Sequence, residues 1–172
     1  ASFRRRCSAE HKGWSARGKP RCFLGEKKLK GAIAGAMAPF SVIAGGIMIL
    51  GIGSDIIHIP RVARAIENER FLQRVYTARE CAYAKSRGRG MAASLAARFA
   101  GKEAVLKAFG TGLRDGKLTD VEILPDALGA PVAHLGGYFA ARAEEMGVER
   151  VLVTLSHERD YAIAYCILEG QR

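Results

Sequence analysis

The chain has 172 residues, 49% of them hydrophobic and 26% charged, a balance that fits one core and one domain of ordinary globular composition. Its net charge of +10 is not ordinary, but residues 1–47 carry ten Lys/Arg against only Glu10 and Glu26, which leaves +2 for residues 48–172. That map argues against a nucleic-acid or anionic-membrane binder, and the four cysteines (Cys7, Cys22, Cys81, Cys166) have no spacing that suits a zinc pair.

Residues 1–31 are rich in Arg, Lys, Gly and Ser without any period, and read as disordered. Residues 32–47 are uncharged but interrupted by Gly and Pro. Three readings stay open for this basic extension, residues 1–47: a signal or short membrane segment, a mitochondrial transit peptide, or sequence upstream of a native start at Met48. From Met48 the text becomes regular. "MILGIGSDI" is a short strand whose glycines invite a close approach. Pro60 suits the first turn of a helix running to about Glu69. "TARE", Thr77 to Glu80, is a capping box that opens a helix to about Ser86, and "RGRG" (87–90) is a loop.

Residues 91–109 form a long helix with Leu95, Phe99, Leu106 and Phe109 on one apolar stripe, stopped by Gly110. Strands follow at 121–124 and 131–135, a helix at 137–146, and two strands, 150–156 and 161–168, around "HERD". Cys166 reads as a small buried thiol within the last of these. The order predicts an α+β fold for residues 48–172, with a mostly antiparallel sheet packed against the long helix.

Several polar residues sit where that pattern does not need them. Asp55 follows Gly51 and Gly53 at a strand end, where it reaches a metal or a basic group, or caps a turn. Lys102 falls in the middle of the apolar stripe, and Glu103 and Lys107 lie together on its edge. Glu103 and Lys107 suit an ordinary i,i+4 surface pair. Lys102 points its stem inward, and Gly101 suggests that another backbone or a ligand comes close. "GTG", Gly110 to Gly112, is either a helix stop or an anion nest. Ser156 and His157 end a strand, where His157 binds phosphate or caps the turn; a Ser-His-Asp nucleophile is disfavoured without G-x-S-x-G. Carboxylates, lysines, a Gly turn and a His together point to phosphate-ester or pyrophosphate chemistry with Mg²⁺.

"GIGSDIIHIPR" (51–61), then Phe71, Arg74, Tyr76, Thr77 and Glu80, then "RFAGKEAVLKAFGTG" (98–112) and "LSHERDYAIAYCILE" (155–169) occur in that order. Together they resemble the holo-acyl-carrier-protein synthases, the small 4′-phosphopantetheinyl transferases, over residues 48–169. G-x-D and F-x-x-K-E-A-x-x-K carry the specificity of the match. Gly101 stands where the family often has Ala, and Pro60 precedes Arg61.

The resemblance implies the 4′-phosphopantetheinyl transferase fold and transfer of phosphopantetheine from coenzyme A to a serine of apo acyl carrier protein, releasing 3′,5′-ADP. It implies catalytic roles for Asp55, Glu103 and Lys107, with Mg²⁺ on Asp55 and Glu103. Coenzyme A would meet Lys102, Lys107, Gly110, Thr111, Gly112 and His157, and the carrier protein would meet Arg61. It further implies a cytoplasmic homotrimer of fatty-acid biosynthesis with sites at subunit interfaces, and neither nucleic acid nor membrane as partner. The proton acceptor for the serine stays open between Glu80 and Glu103 acting through water.

Overall fold

The computed structural model describes residues 46–171, so the expectation of a basic extension over residues 1–47 lies almost wholly outside the described residues. Strand β1 (Met48–His58) leads into helices α1 (Ile59–Ala65), α2 (Glu69–Val75) and α3 (Ala78–Ser86). A short 3-10 turn, Gly88–Gly90, joins α3 to the long helix α4 (Met91–Ala108). A second 3-10 turn, Leu118–Asp120, precedes strands β2 (Val121–Pro125) and β3 (Pro131–Leu135). Helix α5 (Gly137–Met146) and strands β4 (Val148–Glu158) and β5 (Tyr161–Gly170) complete the chain.

The fold is α+β. Strands β1, β5 and β4 form one antiparallel sheet in that order, and β2 and β3 form a separate antiparallel pair. Strand β5 alternates cleanly: Ala162, Ala164, Cys166 and Leu168 point inward and are fully buried, while Tyr161 and Tyr165 point out. Cys166 is indeed a buried thiol, with its pKa pushed up to about 12 by that burial. On β1, Gly51 and Gly53 face α4 so closely that a methyl group on either would run into a backbone carbonyl oxygen, that of Ala108 or Ala104. The glycines of "GIGSDI" thus serve close strand–helix packing. Ile52 and Ile56 face outward and are largely exposed, next to the tyrosines of β5.

Four features differ from the sequence expectation. The helix begun by Pro60 ends at Ala65, and a separate α2 starts at Glu69 because the Asn68 side chain accepts from the Arg70 amide as an N-cap. The glycine-rich 87–90 stretch is mainly a 3-10 turn. Strand β4 extends through His157 and Glu158, so the hairpin turn is Arg159–Asp160. Helix α4 is not a one-stripe surface helix. It buries Leu95, Ala96, Ala97, Ala100, Ala104, Val105, Leu106 and Ala108 on several sides, because the main sheet, β2 and the smaller helices all pack on it. Each fully buried Leu or Val contributes about 1.5–3 kcal/mol. The capping box at Thr77 forms as expected, with both reciprocal bonds present. Among the described residues no helix is long and apolar enough to cross a membrane.

Candidate active site

Asp55 lies on β1 two residues beyond Gly53, on the face of the strand against which α4 packs. The tight glycine contacts bring the strand close enough for the last turn of α4 to reach it. Lys107 Nζ donates to Asp55 Oδ1 at 2.8 Å and to the Ser54 carbonyl at 2.9 Å. The sequence expectation of a Glu103–Lys107 surface pair is therefore not met: the lysine reaches across to the strand instead. Glu103, one helical turn back, is half-buried and makes no hydrogen bond or ion pair among the described residues. Burial raises its pKa first, and the neighbouring Asp55 charge raises it further, against the opposing effect of Lys107.

Two carboxylates close enough to repel, with one lysine paired to Asp55, form a site short of positive charge. No three His, Cys, Asp or Glu side chains cluster among the described residues as a metal cage. Mg²⁺ is usually held by one or two such carboxylates, with waters and substrate phosphates completing its shell. Asp55 and Glu103 fit that pattern.

Glu103 also lines a cavity of about 960 Å³ between α2 and the 113–119 segment. Arg70 and Arg74, one turn apart on α2, line it with Phe71, Phe99 and Leu113. Arg70 has no role among the sequence expectations, and Arg74 enters them only as part of a motif. Their i,i+4 spacing on an exposed face was the available signal. Arg61 lies exposed on α1 and has no ion pair among the described residues.

Lys102 is not where the resemblance implied. Its side chain is fully buried, and its ammonium is taken up by Glu80 Oε2 at 2.7 Å, the Leu118 carbonyl at 2.9 Å and the Val121 carbonyl at 2.6 Å. An ammonium has three donors, so none is left for a phosphate. Glu80 is equally buried and is removed with it as a proton acceptor for the serine. Gly101 faces no ligand; a methyl there would meet Ile123 Cδ1 at 2.6 Å and Leu155 Cδ2 at 2.9 Å, both core side chains.

The glycine turn forms after α4, with φ of +71° at Gly110 and +59° at Gly112, values that favour glycine. The Gly110 N–H is committed to the Lys107 carbonyl, as a helix stop requires, while Thr111 Oγ1 lies 3.3 Å from the Gly112 carbonyl. His157 is exposed on β4 rather than in a turn, opposite Ala162. It lines a second cavity of about 330 Å³ with Arg87, Ser94 and Arg98. Ser94 precedes Glu103 by nine residues, about 14 Å of helix. Asp55, Glu103 and Lys107 therefore come together, and His157 belongs to a separate cavity toward the other end of α4.

Residues 51–166 match the 4′-phosphopantetheinyl transferase superfamily. The chain is 44% identical over 125 residues to a holo-[acyl-carrier-protein] synthase of Clostridium tetani, an alignment that spans 72% of this chain and 98% of that protein. A crystal structure of the holo-[acyl-carrier-protein] synthase of Neisseria meningitidis superposes with a TM-score of 0.66 at 36% identity, covering 72% of this chain and all of that one. The Bacillus anthracis synthase in complex with coenzyme A (3′,5′-ADP) superposes with a TM-score of 0.61 at 32% identity, covering 72% of this chain and 99% of that one. The fold and these matches thus define an enzyme of the phosphopantetheinyl-transfer class. Within it, the chain belongs to the holo-[acyl-carrier-protein] synthase family.

Proposed function

We propose that the protein transfers 4′-phosphopantetheine from coenzyme A to a serine hydroxyl of an apo acyl carrier protein, releasing 3′,5′-ADP, with Mg²⁺ held by Asp55 and Glu103. The observation that carries this is the convergence of those two carboxylates with Lys107. In the reaction the serine oxygen attacks the phosphorus that bears pantetheine, and the bond to the leaving 3′,5′-ADP breaks. A bound Mg²⁺ would neutralise and polarise the pyrophosphate. Lys107 keeps about half of its side chain exposed while pairing with Asp55, so its ammonium can also meet a phosphate oxygen at the same edge. The Gly110–Gly112 turn lets a phosphate approach the backbone beside it. With Glu80 buried, Glu103 acting through water is the acceptor for the serine proton.

His157 fits the coenzyme A role if a second copy of the chain supplies it. The exposed apolar face of the main sheet, Ile52, Ile56, Tyr161 and Tyr165, supports association of copies, and we read the working form as a cytoplasmic homotrimer. In that assembly the His157 cavity of one chain, with Arg87 and Arg98, lies against the Asp55–Glu103 edge of the next. Arg70 and Arg74, which line the larger cavity, and the exposed Arg61 on α1 suit an acidic carrier protein.

Intact-mass measurement on apo acyl carrier protein tests the proposal, with the purified protein, coenzyme A and Mg²⁺. The expected result is a phosphopantetheine increment that chelation abolishes. A folded protein that yields no increment overturns the activity, and an increment that survives chelation removes the metal from it.

A further inference from the structure

Lys102 is among the largest side chains with no exposure at all, and its partner Glu80 is as fully buried. Besides their 2.7 Å ion pair, Lys102 donates to the Leu118 and Val121 carbonyls, and Glu80 accepts from the Ile123 and Thr77 amides, each at 2.9 Å. One charge pair therefore joins the start of α3, the middle of α4, the 118–120 turn and the start of β2. Stability alone does not explain such a pair, because apolar side chains of matching volume usually serve as well or better. What it adds is direction. Glu103 follows Lys102 in the chain, and it shares the wall of the larger cavity with Lys117, Leu118 and Thr119. The bonds from Lys102 to the Leu118 and Val121 carbonyls tie that wall to α4, the helix that carries Glu103.

We propose that Glu80 and Lys102 are positioning residues that hold Glu103 in the arrangement able to take a divalent cation together with the diphosphate of coenzyme A. Neither touches substrate. The inference rests on the proposed transferase activity.

Mn²⁺ is the probe, titrated with coenzyme A present and followed by the electron paramagnetic resonance of the free ion. Lys102→Met and Glu80→Gln are expected to bind it about 10–100-fold more weakly than the wild type, the usual loss when a group behind a metal ligand is changed. Leu168→Ala, a core truncation in the sheet, lowers stability without touching the pair and is expected to leave the affinity of the folded protein unchanged. Should the two variants not fold, the wild type still decides. Linkage is reciprocal, so Mn²⁺ with coenzyme A should slow hydrogen exchange at the Ile123 amide by about tenfold more than at Ala143 in α5. Variants that match the wild type, or equal slowing at both amides, overturn the inference alone. A wild type that takes up no Mn²⁺ overturns the metal site, and the inference with it.

Discussion

Two lysine–carboxylate pairs hang from α4 five residues apart, and their lengths are nearly the same: 2.7 Å for Lys102–Glu80 and 2.8 Å for Lys107–Asp55. Their surroundings are not. The first pair has no exposed side-chain surface, whereas the second leaves 51% of Lys107 and 18% of Asp55 open. In the first, every donor of the ammonium has a protein acceptor, and burial pushes the lysine pKa down while Glu80 opposes the change. In the second, a carboxylate without a partner stands one turn away. The same chemical pair is thus part of the frame at one position and open to a ligand at the other. Burial and the count of satisfied donors separate the two; residue type does not.

The sharpest way to break this contrast is to remove one partner from each pair. Glu80→Ala leaves an uncompensated buried ammonium and should cost about 3–5 kcal/mol in denaturant unfolding. Lys107→Ala should cost less than about 1 kcal/mol, because its charge is solvated. Equal costs would mean that the two environments do not differ as described. Activity should rank the sites the other way. Asp55→Asn and Glu103→Gln should keep the fold and lower kcat/KM by more than about 100-fold, beyond the loss usual for groups behind a ligand. Full activity in either variant would remove that residue from the metal site.

A smaller effect tests what brings the open pair together. Gly53→Ala puts a methyl group into the Ala104 carbonyl and must push α4 away from β1. Overpacking of this kind costs about 1–3 kcal/mol. It should also lengthen the reach from Lys107 to Asp55, so KM for coenzyme A should rise with the loss of stability. A variant with wild-type stability would show that the strand–helix approach is softer than the contact implies.

Local signals served the sequence reading well where one residue decides one bond. Thr77 and Glu80 announced their capping box, and the alternation in "YAIAYCIL" announced both the strand and the buried Cys166. Asp55 was legible as a candidate from the two glycines before it at a strand end, and Glu103 and Lys107 because charges beside an apolar stripe need partners. The partners were not legible. Lys107 reaches 52 residues back along the chain to Asp55, and Lys102 reaches 16 and 19 residues forward to the Leu118 and Val121 carbonyls. No helical spacing encodes those distances. Lys102 was misassigned for the same reason: periodicity said that its stem turns inward, but only the packing of α3 and β2 says that acceptors wait there. The second cavity at His157 likewise depends on strand β4 running past its expected end.

The smallest effect concerns Glu103 without metal, and its sign runs against the usual one for a carboxylate. Burial and Asp55 hold its folded pKa above the ordinary glutamate value. The native state therefore keeps this proton to a higher pH than the unfolded chain does, and stability falls as pH rises through that window. At neutral pH the ionised side chain is a net cost to the metal-free fold. Metal-free Glu103→Gln should then melt above the wild type at neutral pH. The gap should narrow as pH drops through the raised pKa, and it should be nearly closed at about pH 4, where much of the unfolded chain's Glu103 is protonated too. Adding Mg²⁺ with coenzyme A should reverse the order, because only the wild type has both carboxylates to hold the cation. Thermal unfolding of both proteins across this range, with and without ligand, measures all three. A variant less stable than the metal-free wild type at neutral pH would mean that Glu103 has a partner in the fold, and that the open side of the comparison is closed.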